Sequence, residues 1–295
     1  MAADEVRAGA GTEATGGLTT LSDHVLRELE QLAIDLAAEA GRFIVDERPR
    51  GLGVAETKSS ATDVVTVMDQ RCEQLLRERI TAARPHDGVL GEEAGSSHGT
   101  SGVTWVVDPI DGTVNYLYEI PAYCVSVGAV VGDPSRPGQW RPVAGAVCNP
   151  VSGELFHARS GAGAGLRLGE QTTTLRVSGA DELAQSLVAT GFGYRPEVRT
   201  RQGEVLLGLL PAIRDIRRAG SAALDLCSVA AGRVDAYYEI GLNPWDLAAG
   251  WLIAQEAGAV VTGLAGQSPS HEMVVAAGPG IQNLLVQRLQ EQVPG

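Results

Sequence analysis

The acidic residues best placed to do chemistry stand in a segment where an apolar strand runs into two aspartates. Asp108 and Asp111 lie three positions apart, after the apolar residues Trp105-Val-Val. Between them, Pro109 fixes the backbone φ angle and removes a hydrogen-bond donor. We therefore expect a stiff loop that aims both carboxylates and the Ile110 carbonyl at one point. Hard cations such as Mg²⁺ prefer oxygen ligands of this kind.

The residues that follow this pair predict an anion site beside the cation site. Gly112 permits an unusual backbone turn, after which Thr113 could open a short helix. The free N–H groups of such a helix would face an anion such as phosphate. Taken alone, the pair is also explained by an acidic turn that caps the helix. An EF-hand loop is excluded, because its ligand positions would require oxygen side chains where Ile110 and Gly112 stand.

Three further segments carry carboxylates at the end of a strand or the start of a helix. An apolar strand ends in Glu92, and Asp246 opens a helix after Asn243-Pro244-Trp245. The third segment runs from Lys58 to Asp69. Each has an ordinary structural explanation on its own, namely a solvated turn, a carboxylate on a helix dipole or a helix cap. A shared metal site would explain all of them at once.

Composition narrows the class of protein. Of the 295 residues, 44% are hydrophobic, which is enough to bury a substantial core. The formal net charge of −13, with no basic patch, argues against direct nucleic-acid binding. The four cysteines are far apart, so a zinc site or disulfide framework is not expected and a cytoplasmic location fits best. No stretch reaches the roughly 18 apolar residues of a membrane span.

The elements that must position these carboxylates form two joined halves. We expect a disordered leader over 1–21, an α+β half over 22–180 with most of the metal ligands, and an α/β half over 181–295 that completes the site. Helices are predicted over about 22–46, after Asp69, and over about 198–212, 222–231, 245–257 and from 280. Strands are predicted at Val64–Val67, Val89–Gly91, Val103–Val107, Tyr123–Val131, Val143–Asn149, Glu154–Ala158, Leu166–Leu168, Leu187–Thr190, Asp215–Arg218, Asp235–Glu239, Val260–Thr262 and Met273–Ala277. Alternating units of this kind pack helices against sheets in layers.

Together, these motifs resemble the inositol monophosphatase family, within the wider group of lithium-sensitive, magnesium-dependent phosphatases. The similarity covers roughly residues 22–290. The motifs that carry it occur in the family's order: the lysine-to-aspartate segment 58–69, the strand ending in Gly91-Glu92-Glu93, the run from Trp105 to Thr113, Arg218-Ala-Gly-Ser-Ala-Ala, Asp235-Ala-Tyr-Tyr-Glu239 and Trp245-Asp246. The fold that this resemblance implies is an α/β protein with alternating α/β/α/β/α layers.

The resemblance also implies a ligand set for two to three Mg²⁺ ions. One ion would be held by Glu92, Asp108 and the Ile110 carbonyl. A second would be held by Asp108, Asp111 and Asp246. Glu92 would also lean toward a third, weaker ion.

Catalytic and substrate-binding roles follow from the same resemblance. Thr113 and Asp69 would orient the attacking water, with Glu92 and Lys58 also in catalytic positions. The phosphate would meet the backbone of Gly112 and Thr113, beside Asp111 and Asp246. The alcohol part of the substrate would lie against Gly220, Ser221, Ala222 and Glu239.

The implied activity is hydrolysis of a small phosphomonoester, with myo-inositol monophosphate as the leading substrate. A homodimer and inhibition by lithium are implied as well. Histidinol phosphate, fructose 1,6-bisphosphate and a 3′-phosphoadenosine compound stay open as alternatives. A bisphosphate would need extra cations, for which Arg195, Arg199 and Arg218 are candidates. A non-enzymatic accessory role in transcription or RNA processing is the rival from another class.

Overall fold

The computed structural model describes residues 21–54, 56–57 and 64–292. The predicted leader, except Leu21, lies outside these residues, and so does Lys58. The helices are α1 (Asp23–Asp46), α2 (Val67–Ala83), α3 (Thr113–Leu117), α4 (Pro196–Leu209), α5 (Ala222–Ala230), α6 (Pro244–Glu256) and α7 (Gln282–Gln292). The strands are β1 (Glu56–Thr57), β2 (Val64–Val65), β3 (Gly88–Gly91), β4 (Gly95–Ser97), β5 (Val103–Asp111), β6 (Cys124–Gly132), β7 (Trp140–Asn149), β8 (Glu154–Arg159), β9 (Ala164–Leu168), β10 (Gln171–Thr174), β11 (Leu187–Thr190), β12 (Asp215–Arg217), β13 (Ala236–Glu239), β14 (Val260–Thr262) and β15 (Val274–Ala277).

Two large sheets organise the chain. The first has eight strands in the order β10-β9-β8-β7-β6-β5-β3-β4, and it is antiparallel except where β3 pairs with β5. The second has five strands in the order β12-β11-β13-β15-β14. A long strand of the first sheet shows how its two faces are used. Trp105 and Val107 pack toward α1 and α2, whereas Val106 packs toward α5 and α6, because successive side chains of a strand point to opposite faces.

Three buried clusters fill the spaces between the layers. One lies between α1, α2 and the outer face of the eight-stranded sheet. A second lies around α5 and α6, between the two sheets. The third lies between the five-stranded sheet and helices α4 and α7. The order is therefore helix, sheet, helix, sheet, helix, which confirms the predicted α/β/α/β/α layering.

Helix α6 lies very close to the eight-stranded sheet because glycines face it. A Cβ added at Gly128 would lie 3.0 Å from the Ala248 side chain. A Cβ added at Gly145 would lie 3.1 Å from the Ala249 Cα atom. Since Asp246 stands in the first turn of α6, this close packing fixes how far that carboxylate reaches toward the first sheet.

Local structure differs from the sequence prediction at the start of α2 and at the sheet edges. The strand predicted at Val64–Val67 ends at Val65, because Thr66 caps α2 and Val67 is already helical. Strands β4 and β10 were not predicted, and both are exposed strands at the edges of the eight-stranded sheet. They lack the buried alternation that identifies the inner strands.

The described helices include no segment that is both long and apolar enough to span a bilayer. The four cysteines are all buried and form no disulfide.

Candidate active site

An irregularity at the end of β5 brings Asp108 and Asp111 together. In a regular strand, residues three apart point to opposite faces. Here Asp108 pairs with Ser126 and Asp111 with Cys124, so two residues of β5 stand opposite one of β6. The Ile110 N–H then donates to the Asp108 carboxylate at 3.0 Å. The predicted stiff loop is thus a bulged strand end, and it turns both carboxylates toward the same space.

Asp246 joins this pair from the second half of the chain. Its carboxylate accepts a hydrogen bond from the Asn243 N–H at 2.8 Å, which caps the start of α6. One oxygen each from Asp108, Asp111 and Asp246 lies within 4.8 Å of the other two. The two interpretations of Asp246 are therefore compatible, since the carboxylate that caps the helix also belongs to the cluster.

Asp111 is held in place by the first residues of α5. It accepts hydrogen bonds from the Ser221 hydroxyl at 2.7 Å, the Ala223 N–H at 2.7 Å and the Ala222 N–H at 3.3 Å. Ser221 and Ala222 were predicted to face the alcohol part of a substrate. Both border the cavity described below, but their polar groups are directed at Asp111, so they also orient this carboxylate.

The buried cluster is electrostatically incomplete without a cation. Burial raises the pKa of Asp108 well above its usual value, and the charges of Glu92, Asp111 and Asp246 raise it further. The pKa of Asp246 is also raised, first by burial and then by Glu92. Like charges in a desolvated site repel. A bound divalent cation would offset both the loss of solvation and this repulsion. The donors are all oxygen atoms, which fits Mg²⁺ and not a soft metal.

The Glu92 loop is positioned by a buried glutamate of α2 that the sequence analysis missed. Glu73 is 1% exposed, accepts hydrogen bonds from the N–H groups of Glu93 and Ala94 at 2.6 and 2.9 Å, and pairs with Arg77 at 2.8 Å. Gly91 leaves it room, since a Cβ there would lie 2.3 Å from the Glu73 carboxylate. A signal was present in the sequence, because Glu73 follows Asp69 by one turn on a helix face whose other buried residues are apolar.

Thr113 connects the cluster to a second buried carboxylate, Asp69. The Thr113 hydroxyl lies 3.0 Å from Asp69 Oδ1 and 3.0 Å from the Ile110 carbonyl oxygen. With a single proton, it donates to one of them at a time. The other oxygen of Asp69 accepts from the Thr66 N–H at 2.8 Å and the Thr66 hydroxyl at 2.6 Å. Burial raises the pKa of Asp69 to about 6, against these hydrogen bonds.

Glu239 forms the opposite wall, where the alcohol part of a substrate was predicted to bind. It accepts a hydrogen bond from the buried Tyr237 hydroxyl at 2.6 Å. Gly191 lies against it so closely that an added Cβ would be 2.0 Å from Glu239 Oε2. Burial raises the pKa of Glu239 to about 7. Neither Tyr237 nor Gly191 was singled out from the sequence.

One cavity of about 440 Å³ collects nearly all the predicted site residues. Those that line it are Glu92, Asp108, Ile110, Asp111, Gly112, Thr113, Gly220, Ser221, Ala222, Glu239 and Asp246. Asp69 lies behind Thr113 and is not part of the lining, while Lys58 lies outside the described residues. Of the three candidate arginines, Arg195 and Arg218 line the cavity and Arg199 does not. Sequence reasoning missed residues 191–194, which follow β11, and His271; both line the cavity from the second half of the chain.

Comparison with known proteins supports the resemblance to the inositol monophosphatase family over nearly the whole chain. Residues 25–293 match the sequence profile of the Inositol monophosphatase family. The inositol-1-monophosphatase SuhB of Mycobacterium tuberculosis is 46% identical over 286 residues, covering 92% of this chain and 96% of that protein. The Nus factor SuhB of Vibrio cholerae is 34% identical over 264 residues, covering 88% and 95%.

Solved structures agree with these sequence matches. The Mycobacterium tuberculosis SuhB structure superposes with a TM-score of 0.76 at 47% identity, covering 90% of this chain and 97% of that one. SaIMPase-II bound to inositol monophosphate gives a TM-score of 0.70 at 27% identity, covering 90% and 94%.

Layered helices and sheets around a carboxylate cluster that could hold a metal ion, together with the family match, place the chain in the class of phosphatases. Within that class, the chain belongs to the inositol monophosphatase family.

Proposed function

We propose that this protein is a cytoplasmic, homodimeric, Mg²⁺-dependent phosphatase that hydrolyses myo-inositol monophosphate to inositol and phosphate. The main observation in support is that one cavity is lined by residues from both halves of the chain. It is lined by the carboxylate cluster and by Glu239, which lies outside that cluster and accepts a hydrogen bond from Tyr237. Such a cavity suits a substrate with one phosphate and several hydroxyl groups.

The acidic side of the cavity would hold two to three Mg²⁺ ions. Glu92, Asp108 and the Ile110 carbonyl would hold one, and Asp108, Asp111 and Asp246 a second, with Glu92 beside a third. Bound there, Mg²⁺ supplies the positive charge that attracts a phosphate dianion and stabilises the charge that develops during hydrolysis. The raised pKa values of Asp108 and Asp246 support this fit.

Residues of the chain would position the water that attacks phosphorus. When the Thr113 hydroxyl donates to Asp69, its oxygen is free to accept a hydrogen bond from that water and so to orient it. In-line attack forms the new P–O bond as the ester P–O bond breaks. The attacking water gives up one proton and the leaving alkoxide takes one up, so the products are the free alcohol and hydrogen phosphate and no covalent intermediate on the protein is required.

Glu239 would select the alcohol part of the substrate. Its Oε2 atom already accepts a hydrogen bond from the Tyr237 hydroxyl. The other oxygen can then accept hydrogen bonds from hydroxyl groups of a polyol. A polyol ring offers several such donors. That SaIMPase-II, a neighbour of 27% identity, binds inositol monophosphate supports the same substrate class here.

A substrate panel tests the proposal. The purified chain is assayed with inositol 1-phosphate, fructose 1,6-bisphosphate, histidinol phosphate and a 3′-phosphoadenosine compound, while Mg²⁺ and Li⁺ are varied. We expect inositol 1-phosphate to give the highest kcat/KM, with no turnover after chelation and inhibition by Li⁺. A clear preference for another compound would refute the inositol assignment. Turnover without any divalent cation would refute the metal mechanism.

The same panel addresses the non-enzymatic alternative. Similarity to the Vibrio cholerae protein named Nus factor SuhB favours a role in transcription. A chain that had kept only such a role would not need its carboxylates gathered in one cavity. If the purified protein is inert toward every compound with Mg²⁺ present, the accessory role replaces the enzymatic one.

A further inference from the structure

A second cavity, of about 360 Å³, lies outside the catalytic site and is lined by two arginines and one aspartate. It opens between the C-terminal half of α1 and the β7–β8 and β9–β10 hairpins, and it shares no lining residue with the catalytic cavity. Arg42 enters it from α1 and Arg167 from β9. Across the described part of the chain, neither guanidinium forms a hydrogen bond or an ion pair. One carboxylate, Asp46, also lines the cavity, so its formal charge is +1.

The floor of this cavity is apolar. Leu155, Pro150 and the thiol of Cys148 line it, and the half-exposed Val45 stands at its edge. Helix α1 reaches this floor because it carries Gly41, whose added Cβ would lie 3.0 Å from Cys148 Sγ. Close packing of α1 on Cys148 therefore fixes one boundary of the cavity.

Both arginines lie near enough to Cys148 to influence its thiol. Burial raises the pKa of Cys148 to about 11, and the positive charges of Arg167 and Arg42 oppose that rise. The two guanidinium groups and the apolar floor thus belong to one site. Guanidinium groups bind carboxylate and phosphate oxygens through paired hydrogen bonds, and a volume near 360 Å³ is in the range of small-ligand sites.

We infer that this cavity, named here the arginine cavity, binds a small amphiphilic anion, with its oxyanion between Arg42 and Arg167 and its apolar body over Leu155 and Cys148. The oxyanion can be a carboxylate or a phosphoryl group. Both present oxygen atoms that match a guanidinium, and the apolar floor disfavours a fully hydrated ion such as free phosphate.

Cys148 provides a local readout of occupancy. The other three cysteines are 0% exposed, whereas Cys148 is 8% exposed and borders the cavity. N-ethylmaleimide labelling of the full-length protein is followed at this residue by peptide mass spectrometry, with Cys148→Ala to verify the assignment. The probes are octanoate and octylphosphonate, which share an apolar chain and differ in headgroup. The phosphonate contains no ester for the enzyme to hydrolyse.

We expect either probe to slow labelling of Cys148 by about tenfold at saturation, and the tighter one identifies the headgroup. Octanol, which lacks the charge, and acetate, which lacks the chain, should each protect far less. Arg42→Gln and Arg167→Gln should weaken protection by about tenfold or more, the loss expected for one charge-assisted hydrogen bond. Arg201→Gln, at an exposed arginine of α4, is the matched control. In this variant the probes should protect Cys148 as strongly as in the wild type.

Equal protection by octanol, or undiminished protection in both arginine variants, would overturn the assignment. Loss of protection in Asp108→Asn would also overturn it, because the probe would then be acting through the catalytic cavity. If labelling of Cys148 is too slow to follow, the melting temperature provides a second measurement of binding. The probes should raise the melting temperature of the wild type and of Arg201→Gln, but not that of the two cavity variants.

Discussion

Replacing Asp69 with asparagine should stabilise the protein and abolish its activity. Asp69 is 0% exposed, and burial raises the pKa of its carboxyl from 3.8 to about 6. That rise corresponds to about 3 kcal/mol of free energy that disfavours the ionised form in the fold. At pH 8 the wild type carries this cost in full, whereas an amide carries none.

The pH dependence of stability gives the cleanest measure of this cost. Because the carboxyl of Asp69 has a higher pKa in the folded than in the unfolded chain, its contribution to stability is present at low pH. It is lost as the pH rises from about 4 through about 6. About half of the 3 kcal/mol should be recovered at pH 5. Asp69→Asn removes this dependence, so its advantage over the wild type should be largest at pH 8 and smaller at pH 5.

The loss of activity follows from the direction of one hydrogen bond. Two donors of Thr66 fix the amide oxygen at the position of Asp69 Oδ2, so the amide nitrogen must face Thr113. That nitrogen would donate to the Thr113 hydroxyl, whose own proton would then turn to the Ile110 carbonyl 3.0 Å away. The amide then fills one of the two acceptor positions of the Thr113 oxygen and the hydroxyl is turned, so the water loses its orientation while the fold is kept.

Urea unfolding at pH 5 and pH 8, in chelator, measures the stability of the wild type and of Asp69→Asn. Turnover with Mg²⁺ measures the activity. Asp181→Asn, at an exposed carboxylate, is the control and should shift neither quantity. The reasoning fails if Asp69→Asn gains no stability relative to the wild type between pH 5 and pH 8, or if it retains more than about a tenth of the wild-type kcat.

Three further predictions concern contacts in the site, and a fourth tests the proposed homodimer. Asp108→Asn should lower kcat by about 10³-fold, because it removes a charge shared by two ligand sets; near-normal turnover would contradict the ligand assignment. Gly191→Ala should raise KM about tenfold with little effect on Mg²⁺ affinity, since a methyl there displaces Glu239; an unchanged KM would show that Glu239 does not contact substrate. Glu73→Gln should destabilise the fold by about 2 kcal/mol and weaken Mg²⁺ binding, because Arg77 and the Glu92 loop lose a charged partner; urea unfolding and Mg²⁺ titration measure both effects, and intact binding would assign Glu73 to stability alone. Sedimentation equilibrium should give twice the chain mass of 30.8 kDa, and a monomer at micromolar concentration would refute the homodimer.

The sequence predicted the elements whose side chains alternate or recur regularly. The helix predicted over about 22–46 is α1 (Asp23–Asp46), and Ser22 caps it by accepting a hydrogen bond from the Val25 N–H at 3.4 Å. The edge strands were missed because their residues are exposed and polar, so no periodic apolar face marks them. Strand order was also out of reach, since the parallel pairing of β3 with β5 depends on packing between residues distant in the chain.

The candidate site was predictable where chemistry requires a particular residue type. Carboxylates at strand ends and helix starts stand out because burying their charge needs an explanation. The groups that hold them did not stand out. The Ala222 and Ala223 N–H groups that fix Asp111 are backbone donors, which every residue but proline supplies. The requirement for glycine at position 191 is visible only in the structure, where Glu239 occupies the space that a side chain would need.

The narrow gap between α6 and the eight-stranded sheet makes the spacing of the carboxylates a property of the scaffold. Only hydrogen atoms at Gly128 and Gly145 separate the backbone of that sheet from Ala248 and Ala249. A single methyl group at either glycine would push α6 away from the sheet and move Asp246 away from Asp108 and Asp111. Selectivity between cations of different radius can therefore be adjusted by residues that never touch an ion and have no oxygen side chain to offer.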